Sequence, residues 1–321
     1  MNVAGLSPAT AGDGLPDCRG RLLAVRGGAL GDFILTFPAL RELRRAGWQL
    51  ELLTRPAYGE LAETFGHVEA WRALDSLEAS ALMVDDAPVR PEWQQWLSGF
   101  DAVVSWLPDR DGAFQRQLAR CGGHAFFHGD WRCEGKTPAA GQLGAVELLK
   151  ESADALRVPF DLFSRNPGRL PGSSGRLALH PGSGSPRKNW PLSRWLEVLH
   201  SLGKKSPGTD WMIITGEAEN EDLPRLENGL RDVGISCHFA TGLPLPALAR
   251  ELRTCAGFFG HDSGISHLAA ACGIPCHLVF GPTDPKVWAP MGNHVRVATA
   301  PGGRLEALSA HEAMELWNAG H

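Results

Sequence analysis

The side chains able to do chemistry gather in four short turns. The first is Arg26-Gly-Gly-Ala-Leu-Gly-Asp32. Its glycines stand at 27, 28 and 31, which is not the G-x-G-x-x-G spacing of a dinucleotide-binding turn, and no Gly-Lys-Ser/Thr follows to make a P-loop. Asp32 opens the helix that comes next. It either caps that helix or, facing a cleft, takes a proton from an attacking hydroxyl.

The second turn runs His180-Pro-Gly-Ser-Gly-Ser-Pro-Arg-Lys-Asn-Trp190. Gly182 and Gly184 let backbone N–H groups approach an anion, Ser183 and Ser185 add hydroxyl donors, and Arg187 and Lys188 add charge. Those ingredients suit a diphosphate. A solvated basic loop explains the Arg-Lys pair but not the whole assembly. The third turn, Gly260-His-Asp-Ser-Gly-Ile-Ser-His267, runs into an apolar helix. A helix beginning in this turn aims unpaired N–H groups and the positive end of its dipole at an anion. Asp262 would repel a phosphate placed directly on it, so it caps the loop or reaches a sugar hydroxyl. His267 is either a hydrogen-bonded core histidine or part of this site. The fourth turn, Phe280-Gly-Pro-Thr-Asp-Pro285, has adequate turn chemistry as its explanation, and Thr283 and Asp284 could also edge the same pocket.

These turns need a frame, and the hydrophobic pattern supplies one. Residues 22–25 read as a buried strand, 33–46 as a helix with Phe33, Phe37, Leu40 and Leu43 on one face, and 50–53 as a second strand. A helical stretch at 93–97 precedes a strand at 101–106, and an amphipathic segment at 144–157 closes this half. Residues 164–175 are rich in Pro, Gly and Ser, as a linker is. Strands at 176–180, 211–215, 257–260 and 276–280 then alternate with helices at 192–202, 245–253 and 266–272, and a last helix covers 305–317. Strands alternating with helices imply parallel sheets covered on both faces. In such sheets ligands bind beyond the carboxyl ends of the strands, where all four turns fall.

The 321 residues suit two domains, with 43% hydrophobic and 21% charged residues, as in a folded globular protein. A net charge of −5 gives no general reason to bind nucleic acid. Residues 1–20 carry no basic start and no apolar run, so they read as an unstructured leader rather than a signal peptide. No stretch approaches the roughly 18 apolar residues of a membrane-spanning helix. The expectation is a cytoplasmic protein. Seven cysteines at irregular spacing do not make a disulfide framework. Cys121, His124, His128 and Cys133 can be drawn as a zinc site, but their spacing matches no common finger. The better reading is a packed loop-strand-loop.

In order and spacing, the strings LGDFILTFPALRELR (30–44), LHPGSGSPRKNWPLSRW (179–195), TGLPLPALARELRTC (241–255), GHDSGISHLAAACGIP (260–275) and FGPTDP (280–285) resemble the family 9 glycosyltransferases. The best-known members of that family are bacterial lipopolysaccharide heptosyltransferases. The resemblance implies an α/β protein of GT-B fold, two Rossmann-like domains with parallel sheets facing a cleft. It implies an acceptor-side domain at 21–165, a nucleotide-sugar domain at 176–303, and a final helix at 304–321 returning to the first domain. The family's Gly-Asp carboxylate, matched by Gly31-Asp32, is its proposed general base. Lys188 matches the lysine that offsets the diphosphate charge, and Ser183 and Ser185 lie where hydroxyls stand near the phosphates. Asp262, Ser263, Gly264 and His267 match the Asp-Ser/Thr-Gly-x-x-His donor loop.

The implied reaction is direct displacement with inversion, with no cofactor and no metal. The donor is a nucleotide-diphosphate sugar, ADP-heptose by default, and the acceptor a cell-envelope glycan or lipid-linked hydroxyl. Any membrane contact is at most peripheral. Two departures bear on this. Gly27, Gly28 and Ala29 stand where many heptosyltransferases carry hydroxyl residues. Glu217, Glu219 and Glu221 compete for one contact to the nucleoside. Nucleotide-sugar epimerases share the architecture, and a non-catalytic nucleotide-sugar binder is the third reading.

Overall fold

The computed structural model of the chain describes residues 19–129, 175–216 and 223–319. The readings for the leader up to residue 18, the segment 144–157, the linker up to residue 174, Cys133 and the three glutamates lie outside the described residues.

Two parallel sheets form the frame. The first contains β1 (Gly20–Val25), β2 (Trp48–Thr54), β3 (Ala70–Ala73), β4 (Ala102–Ser105) and β5 (Ala125–His128), in the order β3-β2-β1-β4-β5. The second contains β6 (Leu177–Leu179), β7 (Trp211–Thr215), β8 (Cys237–Thr241), β9 (Gly257–His261), β10 (Cys276–Phe280) and β11 (Val295–Thr299), in the order β11-β10-β9-β6-β7-β8. Every strand pair is parallel. The central strands β4, β7 and β9 are buried along their whole length, because helices cover both faces. This is the GT-B architecture of two α/β halves. Among the described residues, no helix is long and apolar enough to cross a membrane.

Strand order fixes where the ligand edge lies. In the first sheet the order reverses between β1 and β4, so the turn at 26–32 opens a crevice there. In the second sheet it reverses between β6 and β9, whose following loops are 181–190 and 262–264. Crevices at such switch points are where open parallel sheets bind ligands. Three of the four chemically equipped turns therefore sit at the two switch points.

The expected helix 33–46 is two helices, Leu30–Ile34 and Phe37–Arg45. Pro38 causes the break: its ring cannot sit against the carbonyl one turn earlier, at Ile34. The chain closes the first helix with the Thr36 amide on the Phe33 carbonyl at 3.0 Å and starts again with Pro38 in the first turn of the second helix.

The two halves share one core. A single buried cluster runs from Phe33 and Phe37 in the first half to Leu248 and Leu268 in the second. Helix Leu30–Ile34 lies on helix Gly264–Ala271, and the approach is close at two glycines. A Cβ on Gly264 would stand 2.8 Å from Leu30 Cβ, and one on Gly31 would stand 3.0 Å from His267 Cδ2. Nearby, the Arg253 guanidinium lies over the Phe65 ring at 4.4 Å.

The last helix differs from expectation. Residues 305–307 form a separate 3-10 turn, and the α-helix is Ala310–Ala319. A capping box starts it, with the Ser309 amide donating to Glu312 Oε2 at 2.8 Å and the Glu312 amide donating to Ser309 Oγ at 3.2 Å. Among the described residues it packs on the second half, against β11 and helix Leu192–Lys205. Trp317 holds it on the second sheet, buried beside Trp195 and Phe259 and donating its indole N–H to the Leu278 carbonyl at 3.1 Å.

Candidate active site

Asp32 is the third residue of helix Leu30–Ile34, whose N-cap is Ala29. The turn carrying it is tied to the end of β4. Buried Arg26 donates one guanidinium N–H to the Trp106 carbonyl and another to the Asp32 carbonyl, both at 3.2 Å. Gly28 makes the bend with φ +92, a left-handed value that favours glycine.

In the second half the loop after β6 folds on itself. Ser183 is buried and faces inward: its Oγ lies 2.7 Å from Asn189 Oδ1 and 2.8 Å from the Ser185 carbonyl, and it accepts from the Ser185 amide at 3.3 Å. The loop then makes one 3-10 turn, Pro186–Lys188, which delivers Lys188 to Asp262 with Nζ 2.6 Å from Oδ2. Thr283, from the turn after β10, donates to the same Oδ2 at 2.7 Å. Ser263 is the N-cap of helix Gly264–Ala271, accepting the Ser266 amide at 3.3 Å.

One cavity of about 360 Å³ collects these groups. Its walls include Asp32 from the first half and Gly184, Ser185, Lys188, Asp262, Ser263, Gly264 and His267 from the second. Ser183 and Thr283 stand one contact behind it. Away from the cavity, Asp109 and Asp111 accept the amides of Phe114 and Ala113 at the start of helix Ala113–Cys121.

Sequence reasoning missed His261 and Trp288. His261 is fully buried, and its Nε2 accepts both the Trp190 amide at 2.7 Å and the Trp195 indole N–H at 3.0 Å. It therefore ties the end of the Lys188 loop to the residue preceding Asp262. Trp288 lines the cavity beside Ala29 and Leu35. A histidine inside a strand and a tryptophan past a proline-rich turn carry no spacing signal, so neither was legible.

Burial keeps the histidines around the site neutral. His180 and His267 are lowered to about 4 and His261 to about 3, from 6.5, with desolvation the largest cause in each. For His267, Lys188 also lowers the value, while Asp262, Asp32 and a hydrogen bond to the Trp288 backbone raise it. The unfolded chain accepts protons below its ordinary value while the fold refuses them. Stability is therefore level above that value and is lost as pH falls from 6.5 towards 4. Each such histidine contributes a slope of up to about 1.4 kcal/mol per pH unit. Urea unfolding midpoints measured near pH 7 and near pH 5 will show a clear drop at the lower pH.

The sequence model of glycosyltransferase family 9 (heptosyltransferase) matches residues 147–317. The chain belongs to glycosyltransferase family 9. Like other members of that family it is a glycosyltransferase. Over 326 residues it is 24% identical to lipopolysaccharide heptosyltransferase 1 of Escherichia coli O18:K1:H7, covering 92% of this chain and 96% of the relative. The Pseudomonas aeruginosa protein of the same name is 26% identical, covering 83% and 79% of the two chains. Among solved structures, the E. coli heptosyltransferase WaaC with ADP superposes with a TM-score of 0.71 at 20% identity, covering 94% of this chain and all of the other. A family 9 glycosyltransferase from Veillonella parvula also gives 0.71, at 18% identity, covering 93% and 96%. These superpositions establish the shared fold.

Proposed function

We propose that the chain transfers heptose, with inversion, from an ADP-heptose donor to a hydroxyl of a lipopolysaccharide-type acceptor. The observation that carries the proposal is a single cavity with Asp32 on one wall and the Lys188–Asp262 pair on the other. The heptosyltransferase names of the relatives support the choice of sugar, and the ADP in a structural neighbour supports the nucleotide.

In this reading the acceptor hydroxyl loses its proton to Asp32 as its oxygen attacks the anomeric carbon. The bond from that carbon to the diphosphate breaks, and the negative charge moves to ADP. Lys188, the Ser185 hydroxyl, the Gly184 backbone and the N-terminus of helix Gly264–Ala271 receive that charge. Asp262 takes a positioning role: with Thr283 on the same oxygen it aims the Lys188 ammonium, and Ser183 sets the loop that carries Lys188. Ser263 fixes the helix start, and neutral His267 packs between the halves against Gly31. The reaction belongs on the cytoplasmic side of the membrane, with peripheral contact where the acceptor is lipid-anchored.

A thermal-shift panel of ADP, UDP, GDP, CDP and TDP tests the donor. At about 100 times its dissociation constant, the ligand that fits stabilises the fold by roughly 2.7 kcal/mol. Selective stabilisation by ADP is the expected result; selective stabilisation by another diphosphate would discard ADP-heptose.

A further inference from the structure

Eleven tryptophans are many for a chain of this length, and the fold accounts for most of those described. Trp190, Trp195 and Trp317 pack together in the second half, and Trp93 and Trp96 in the first. Trp71 covers Gly59, where a Cβ would stand 2.3 Å from the ring. Among the described tryptophans, Trp288 is the one that lines the cleft cavity.

Its indole N–H also has no protein acceptor among the described residues. Those of Trp96, Trp190, Trp195 and Trp317 have protein acceptors, and those of Trp48, Trp106 and Trp211 are buried without one. The Trp288 N–H is neither buried nor bonded within the described residues. Trp71 and Trp93 share that state but do not line the cavity, so Trp288 is the described tryptophan whose N–H is available to a ligand there.

The platform is built in advance. Trp288 ends the helical turn Pro285–Trp288, which Asp284 caps by accepting the Lys286 amide at 2.9 Å. The Trp288 amide donates to the Asp284 carbonyl at 3.0 Å, and the His267 ring hydrogen-bonds the Trp288 backbone. The cavity around it has two characters. Trp288, Ala29 and Leu35 supply apolar surface; Ser185, Lys188, Asp262 and Asp32 supply polar groups. A pyranose ring matches both, with C–H bonds on its face and hydroxyls at its rim.

Strand order decides which part of the donor meets Trp288. The loop carrying it follows β10, on one side of β9; β6 and β7 lie on the other. Lys188 arrives from the β6 side and Asp262 from β9 itself. A nucleoside lying over the ends of β6 and β7 thus extends away from Trp288, and the sugar beyond the diphosphate extends towards it and Asp32.

We infer that Trp288 is a sugar-binding residue. Its indole face stacks on the C–H face of the transferred sugar, and its N–H donates to a hydroxyl of that sugar. This rests on the donor reading given above.

The test compares calorimetric binding of ADP and of ADP-heptose to the wild-type protein, Trp288→Ala and Trp288→Phe, with unfolding midpoints confirming that each folds. In the wild type, ADP-heptose binds more tightly than ADP. Trp288→Ala weakens ADP-heptose about tenfold while leaving ADP within about twofold, and Trp288→Phe, which keeps a ring face, recovers most of the loss. Equal weakening of both ligands, or unchanged ADP-heptose binding in Trp288→Ala, would overturn the inference and leave the donor reading standing. A wild type that binds neither ligand would overturn both.

Discussion

Replacing Asp32 with asparagine is expected to lower kcat by about 10²- to 10⁴-fold, the usual contribution of a positioned general base. That is about 3–5 kcal/mol of transition-state stabilisation. Asparagine keeps the size and most of the hydrogen bonding of aspartate but cannot accept the hydroxyl proton. The turn is held by Arg26 through the backbone, with one guanidinium bond to the Asp32 carbonyl and one to that of Trp106, and both survive the substitution. The loops that receive the nucleotide lie on the other half, so the stabilisation by ADP should persist unchanged. Steady-state kinetics together with thermal shift separates the two effects. Turnover within a few-fold of the wild type would move the base away from Asp32.

Replacing Lys188 with alanine should damage both binding and chemistry. The ammonium faces the cavity, and its one described partner is Asp262, whose side chain is only 10% exposed. Without the lysine, that carboxylate keeps the Thr283 hydroxyl and gains an unneutralised charge beside the expected diphosphate. Removing a charge-stabilising donor from such a site costs about 10²–10³ in turnover. The same substitution should abolish the ADP-induced thermal shift. Arginine should rescue poorly, because a planar fork does not replace a point charge at 2.6 Å from one carboxylate oxygen. Asp262→Asn supplies the internal control. If Asp262 acts through Lys188, its removal costs less in the alanine background than in the wild type, the non-additivity of a coupled pair.

The residues that could do chemistry were legible because each follows a strongly patterned strand. β1, β6, β9 and β10 are interior strands whose apolar runs are plain in the sequence, and the turns after them carry the site. The strands that escaped notice are β3, β8 and β11, all sheet edges. An edge strand is paired on one side only and can stay half exposed; Val295, Arg296 and Val297 of β11 are each partly exposed, and Arg296 interrupts the apolar pattern. The apolar stripe of Phe33, Phe37, Leu40 and Leu43 runs on across the break between Ile34 and Phe37, so that pattern alone reads as one helix, and Pro38 is the residue that divides it. Where the last helix docks was not legible, because an amphipathic helix does not name the surface it covers. Trp317 settled it by fitting among Trp190, Trp195 and Phe259. The pairing of Lys188 with Asp262 was equally hidden: the two are far apart in sequence, and only the adjacency of β6 and β9 brings their loops together.

The most direct measurement incubates the protein with ADP-heptose and a heptose-deficient lipopolysaccharide acceptor, and follows ADP, acceptor mass and the anomeric configuration of the product. Equal amounts of ADP and glycosylated acceptor, with the anomeric configuration inverted relative to the donor, is the predicted result. Isomerised donor, or ADP released with no gain in acceptor mass, would contradict sugar transfer to this acceptor.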